Sequence, residues 1–229
     1  MNIAKEFSRF ATSYNEINII QKEVAYKLVK YLKFSHYNSV LDLGCGGGEV
    51  YKNLIKEKIS IDKFVGVDIS NEMLKIHPKS QNIELICSDF ENIKIFNKYD
   101  IVVSSSALQW SKDLNSTLLK ITKLSDNFIF AIFTSNTFKT LHQVANIKSP
   151  IYSKDYLIKN INKYFNAKYE TISYKLEFEN TYKMLEYIKK SGVSSGEKKL
   201  SFKEIKNLIK SYPLNYLEFE VLFVKCSLK

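Results

Sequence analysis

The chain has 229 residues, 45% of them hydrophobic, with 15 Tyr and 15 Phe, and a formal net charge of +10. That apolar supply builds a sizeable core and excludes a disordered chain. The length suits one α/β domain of the barrel or doubly wound type, or a smaller domain with an insertion.

Residues 19–32, IIQKEVAYKLVKYL, place Ile20, Val24, Leu28 and Leu32 four apart, one face of a helix. SVLDLG reads as a short buried strand ending at glycine, GEVYKNLIKEK as a helix and KFVGVDI as a second strand. NEMLKIH is a short helix stopped by Pro78. NIELICSD and YDIVVSSS are further strands, and KDLNSTLLKITKL is a helix before the very apolar strand NFIFAIFT. Strands alternating with helices predict a parallel sheet covered on both faces. Past residue 135 the rhythm changes. SKDYLIKNINKYF is a helix capped by Ser153, AKYETISYKLEFE a strand, and TYKMLEYIKKSG a helix ending at Gly192. SFKEIKNLIKSY is a helix stopping before Pro213, and YLEFEVLFVKCSL is a long final strand. No linker or internal repeat interrupts this order, so one domain is expected, with a helical insertion between its last two strands.

No apolar run approaches a membrane span, and MNIAKEF lacks the apolar core of a signal peptide, so a cytoplasmic protein is expected. Cys45, Cys87 and Cys226 are far apart and have no histidines at metal spacing; reduced thiols are expected, with no disulfide or metal site. The lysines are densest from 148 to 210 without forming a basic block. An acidic protein partner or an anionic substrate therefore fits the charge at least as well as nucleic acid.

Of the seven glycines, Gly44, Gly46, Gly47 and Gly48 fall within VLDLGCGGGE. A glycine-rich turn between strand and helix lets backbone approach a ligand closely and aims free N–H groups at it. Asp68 ends the second strand in GVDIS, about 20 residues further on, where a carboxylate can accept both hydroxyls of an adenosine ribose. Asp89, in CSDF at the end of the third strand, is placed to accept from an adenine amino group beside Phe90. A dinucleotide fingerprint starting at Gly44 would need glycine where Glu49 stands.

LDLGCGGG, GVDIS, CSDF and YDIVVSSSALQW, in that order, resemble the motifs of class I S-adenosylmethionine-dependent methyltransferases. FSRFATSYNEINIIQ, SSALQW, LHQV, KKSGVSSGEK and YPLNYLEFEVLFV extend the resemblance, over nearly the whole chain, to the malonyl-acyl-carrier-protein O-methyltransferases of biotin synthesis. One departure is SGVSSGEK, where Ser194 and Ser195 replace the polar pair of a G-A-N/T-H-like sequence.

The resemblance implies a Rossmann-like α/β fold: a mostly parallel seven-stranded sheet with an antiparallel last strand and a helical insertion before it. Residues 1–35 would form a helical cover, 36–135 the cofactor-binding core, and 136–229 the substrate-side insertion and final strands. The cofactor would be S-adenosylmethionine, leaving as S-adenosylhomocysteine, with no metal. Its site would draw on Tyr14 and Gln21, on Asp42, Gly44, Cys45 and Gly46, on Asp68, Ile69 and Met73, and on Asp89, Phe90, Ser104 and Ser105.

The implied acceptor is the free carboxyl of a malonyl thioester on acyl carrier protein. A malonate carboxylate is ionised near neutral pH and needs no general base. Catalysis is then in-line positioning plus desolvation. The chain offers no obvious base: His36 and His77 lie outside the motifs, and a residue such as His142 is more often packing than catalyst. Arg9 is the only arginine, and its planar fork fits a carboxylate. It is expected to pair with the malonyl carboxylate or with the methionine end of the cofactor. Tyr14, Gln109 and Trp110 join it as substrate-positioning candidates, Trp110 being equally suited to plug the core. The lysine-rich stretch from 148 to 210 is a candidate docking surface for the acidic carrier. The alternatives are methylation of another small carboxylate, or a non-catalytic binding protein on the same fold. Base methylation of nucleic acid is disfavoured because SSSALQW lacks the Asn/Asp-Pro-Pro-aromatic sequence.

Overall fold

In a computed structural model, which describes residues 17–93, 97–191 and 200–229, helices and strands alternate from the first described turn. They are α1 (Ile19–Lys30), β1 (His36–Leu43), α2 (Glu49–Lys56), β2 (Ser60–Asp68), α3 (Asn71–Ile76) and β3 (Ile83–Cys87). β4 (Ile101–Ser105), a 3₁₀ turn (Leu108–Trp110), α4 (Leu114–Ile121) and β5 (Asn127–Phe133) follow. The last part holds α5 (Lys139–Val144), α6 (Lys154–Ile161), β6 (Phe165–Glu177), α7 (Thr181–Ser191), α8 (Phe202–Ser211) and β7 (Tyr216–Leu228).

The strands form one sheet in the order β3-β2-β1-β4-β5-β7-β6. β7 runs antiparallel to both β5 and β6, and the remaining pairs are parallel. The antiparallel last strand and the two-helix insertion before it are as the motifs imply. Central β5 is buried along nearly its whole length because helices cover both faces, whereas edge strand β6 alternates between half-buried and exposed positions. One apolar cluster packs α1, α2, α7 and α8 on one face, around Val24, Leu54, Phe64 and Phe219. The other packs α4 and α6 around Leu118, Phe128 and Leu157.

Local chemistry sets several boundaries. Ser70, Ser153 and Ser201 cap α3, α6 and α8 by accepting from the N–H three residues on, and Ser201 with Glu204 closes a capping box. Sequence reasoning did not foresee α5. It has no capping side chain, and its entry residue Phe138 is left-handed. A distant strand holds it: the Thr140 N–H and hydroxyl donate to the two carboxylate oxygens of Glu218 on β7, each at 2.9 Å. No helix among the described residues is long and apolar enough to cross a membrane.

Candidate functional site

The sheet order sets the carboxyl ends of β3, β2, β1 and β4 side by side. The chain turns outward in opposite directions from β1, to β2 on one flank and β4 on the other, which opens a crevice at the switch. The motif residues converge there.

The glycine loop following β1 sits at the centre. Gly44, Gly46 and Gly48 are all left-handed, with φ of 77, 51 and 82°. Gly44 is constrained most tightly, since a Cβ there would lie 2.2 Å from Ala107 Cβ, just past β4. Four of the loop's amides turn inward rather than outward. Gly44 and Cys45 both donate to the Val67 carbonyl, at 2.8 and 3.0 Å, and Gly48 donates to Cys45 O at 2.9 Å. Gly46 donates to Asp68 Oδ2 at 2.9 Å. Those four N–H groups hold the loop's shape and are not available to a ligand, which leaves Gly47 and the first turn of α2 as the backbone donors facing the crevice.

Beneath the loop lies Asp42, fully buried, with neither carboxylate oxygen accepting a hydrogen bond among the described residues. Burial, and then the nearby Asp68 charge, push its carboxyl well above the usual range. Buried polar groups are ordinarily satisfied, and a buried charge without a partner is costly. A crevice over such a group is complementary to a cation or a strong donor. In a chain of net charge +10, this spot has the opposite demand.

Asp68 lies at the end of β2. Its Oδ1 accepts from the Ser70 N–H at 2.8 Å while Oδ2 takes the Gly46 bond, which leaves each oxygen lone-pair capacity for a further donor. Burial raises its carboxyl too, partly offset by these N–H bonds. Asp89 has a turn-holding role: it accepts from the Glu91 N–H at 2.9 Å and Asn92 Nδ2 at 3.4 Å. Phe90 is half-buried beside it, and Ile69 lies at the rim, 39% exposed. Met73 is buried under the loop and would meet a Cβ at Gly46 at 3.4 Å.

The remaining candidates divide. Ser105 is half-buried at the end of β4. Ser104 is fully buried and donates to Leu43 O at 2.7 Å, so it binds β4 to β1 beneath the site rather than lining it. The Cys45 side chain turns into the sheet; a Cβ on Gly66 would lie 2.9 Å from its sulfur, and its thiol is pushed well up by burial, then by Asp42 and Asp68. Cys45 therefore brings only backbone to the loop. Gln109 is buried, with Nε2 donating to the carbonyl of left-handed Ser106 at 2.6 Å and Oε1 without a hydrogen-bond partner among the described residues. Trp110 is half-buried and borders a cavity of about 20 Å³ with Gln109, Phe138 and His142. Gln21, half-buried in the first turns of α1, has an Oε1 without a hydrogen-bond partner among the described residues. Arg9, Tyr14, Ser194 and Ser195 lie outside the described residues.

Sequence reasoning missed the groups that brace this crevice. His77 packs against Gly48, where a Cβ would lie 2.8 Å from its Cδ2, and burial lowers its pKa. Glu91 Oε1 accepts from Ser111 Oγ, Lys112 N and Asp113 N at 2.8, 2.8 and 3.1 Å, tying the turn after β3 to the segment after β4. Only the pairing of the strands could reveal these contacts. The left-handed Ser106 has no signature in its residue type.

A mostly parallel sheet with an antiparallel last strand, and a cation-seeking crevice at its switch point, define a Rossmann-like class I methyltransferase. A methyltransferase-domain family model matches residues 35–189, and the chain belongs to that family of S-adenosylmethionine-dependent enzymes. A malonyl-[acyl-carrier protein] O-methyltransferase of Priestia megaterium is 30% identical over 149 residues, covering 61% of this chain and 54% of that protein. A protein of the same name from Calditerrivibrio nitroreducens is 26% identical over 200 residues, 84% of this chain and 79% of the relative. The chain thus spans about half the length of the first of these relatives. The fold also matches a phosphoethanolamine N-methyltransferase of Haemonchus contortus, solved with S-adenosylhomocysteine, at a TM-score of 0.64 and 13% identity, over 100% of this chain and 61% of that one.

Proposed function

We propose that this enzyme methylates the free carboxylate of malonyl-acyl carrier protein, giving the malonyl methyl ester that starts pimeloyl assembly for biotin. The observation that carries the methyl donor is the Asp42 carboxylate, without a hydrogen-bond partner among the described residues, beneath a loop four of whose amides are spent inward. S-adenosylmethionine carries an ammonium, a sulfonium, an α-carboxylate and two ribose hydroxyls, and no phosphate, so a crevice with buried carboxylates suits its two cationic groups and its ribose. Bound there, it supplies an electrophilic methyl group. Asp42 would balance its positive end, Asp68 the ribose, and Asp89 with Phe90 the adenine, while the inward-tied loop and Met73 keep the floor rigid. The name shared by the relatives supports the acceptor.

The chemistry asked of the chain is modest. The acceptor is already an anion, so its residues need only orient it and exclude water. Gln109 and Trp110 are at the β4 side of the crevice, where an acceptor would enter. His142 is buried behind them, edge-on to Phe138 at 6.4 Å between ring centroids. In this reading residues 1–35 cover the crevice, 36–135 bind the donor and 136–229 face the acceptor, with lysines between 148 and 210 meeting the acidic carrier. Arg9 pairs with a carboxylate at the mouth; Arg9→Lys keeps the charge and loses the fork, and an unchanged turnover would remove Arg9 from the site.

Intact mass spectrometry tests the assignment. With S-adenosylmethionine, malonyl-loaded carrier gains one methylene, which saponification removes and acetyl-loaded carrier never acquires. No gain while S-adenosylhomocysteine still binds would refute the carrier-bound acceptor and turn attention to small free carboxylates.

A further inference from the structure

At the opposite pole, where the parallel strands begin, lies a cavity of about 740 Å³, a size typical of small-molecule sites. It opens beneath the end of α1, over the starts of β1, β4 and β5 and the end of β7. Tyr31, Phe34, Tyr37, Ile101 and Ile129 supply apolar wall, and Lys33, Lys168 and Lys225 supply positive charge beside one carboxylate, Asp100.

The lysines stand in an unfavourable arrangement. Lys168 on β6 and Lys225 on β7 are direct cross-strand partners, a placement that destabilises when the charges are alike. Burial, and then the charges of Lys33 and Lys168, lower the Lys225 pKa. Lys225 donates to Tyr31 O at 3.0 Å, capping the end of α1, whereas Lys33 and Lys168 have no partner among the described residues. Nearby acids are already committed. Glu170 pairs with Lys27 at 3.1 Å and accepts from Tyr31. Asp100, itself in the cavity wall, accepts from the backbone and side-chain amides of Asn38 at 2.7 and 2.9 Å, neutral donors that occupy its oxygens without supplying a counter-charge. Asp62 is bound to His36 and Asp126 to Lys98.

We propose that this cavity is a second ligand site, distinct from the methyl-transfer crevice, for an amphipathic organic anion: an aromatic or acyl body seated on Tyr31 and Phe34, with an acidic head between Lys33, Lys168 and Lys225. The head relieves the cross-strand repulsion, and the body covers aromatic surface that water now wets. The occupant's two halves match the two halves of the wall.

The probe is anilinonaphthalene sulfonate, titrated into the full-length protein by fluorescence and calorimetry. Phenylnaphthylamine, the same body without the sulfonate, is the neutral control. The expected result is one sulfonate probe per chain, not displaced by S-adenosylhomocysteine, with the neutral body binding at least about tenfold more weakly. Lys168→Gln should weaken the probe by about tenfold while leaving the melting temperature unchanged or raised, since it removes a repulsion. Lys33→Gln should weaken the probe likewise. Displacement by S-adenosylhomocysteine, equal binding of the neutral body, or unchanged affinity in both variants would each overturn the site.

Discussion

At the carboxyl ends of β1 and β2 four backbone amides of the glycine loop are spent inside the protein and a carboxylate, Asp42, is left without a partner among the described residues. At the amino ends of β1, β4 and β5 the carboxylates are committed, and two lysines are left without one among the described residues. One sheet thus presents an acidic demand at one pole and a basic demand at the other. Neither follows from the net charge of +10. Charge summed over a chain says how it behaves in solution; which ion a crevice accepts depends on the few groups left unsatisfied at its walls.

This contrast can be broken most forcefully at the glycine loop. Gly44→Ala adds a Cβ that overlaps Ala107 in a left-handed residue, and should cost about 2–5 kcal/mol, abolishing S-adenosylhomocysteine binding. A melting temperature within a degree of wild type would show that the loop can move and that its shape is not enforced by β4.

Asp42→Asn sharpens the comparison, because ligand affinity and stability should move in opposite directions. Loss of the charge should weaken S-adenosylhomocysteine on the order of a hundredfold in calorimetry, as for removing one partner of a buried charge pair. The unliganded protein should melt higher, by about 1 kcal/mol, because an unsatisfied carboxylate no longer has to be buried. The sign of the pH dependence follows. With its carboxyl held above the usual range, the folded protein keeps a proton that the unfolded chain releases, so this group's contribution to stability falls as pH rises from the ordinary carboxylate value towards the raised one. Asp42→Asn should flatten that slope in melts of the unliganded protein, and a variant with the wild-type slope would mean another group titrates there.

Gly46→Ala should be milder than Gly44→Ala, since its Cβ meets only Met73 Cε at 3.4 Å and the left-handed backbone alone costs about 1–2 kcal/mol. Equal damage from the two would argue that conformation, not crowding, dominates. Smallest is Ser104→Ala, which removes the 2.7 Å bond to Leu43 O. A loss of about 1 kcal/mol in chemical denaturation with little change in ligand affinity would fit a brace. A large affinity change at unchanged stability would return Ser104 to the ligand's wall.

Much of this architecture was legible from residues alone. The apolar runs of Val and Leu in β1, Ile and Val in β4, and Phe and Ile in β5 reflect burial on both faces, the alternation in β6 reflects an exposed edge, and Ser153 announces its helix. The clustered glycines and the aspartates at successive strand ends located the crevice and pointed to an adenosyl ligand. What remained hidden was the direction of the groups within it. The sequence could not show that the loop's amides turn inward, that Ser104 faces Leu43, or that Cys45 packs against Gly66. Nor could it show α5, which is held by Glu218 from a strand far along the chain. The Lys168–Lys225 pair is equally invisible, because antiparallel register sets face to face two residues 57 positions apart in the sequence. Periodicity and turn chemistry are local, so a sequence by itself determines the elements and their order. Hydrogen-bond satisfaction and charge balance are sums over neighbours in space, and only the folded sheet decides them.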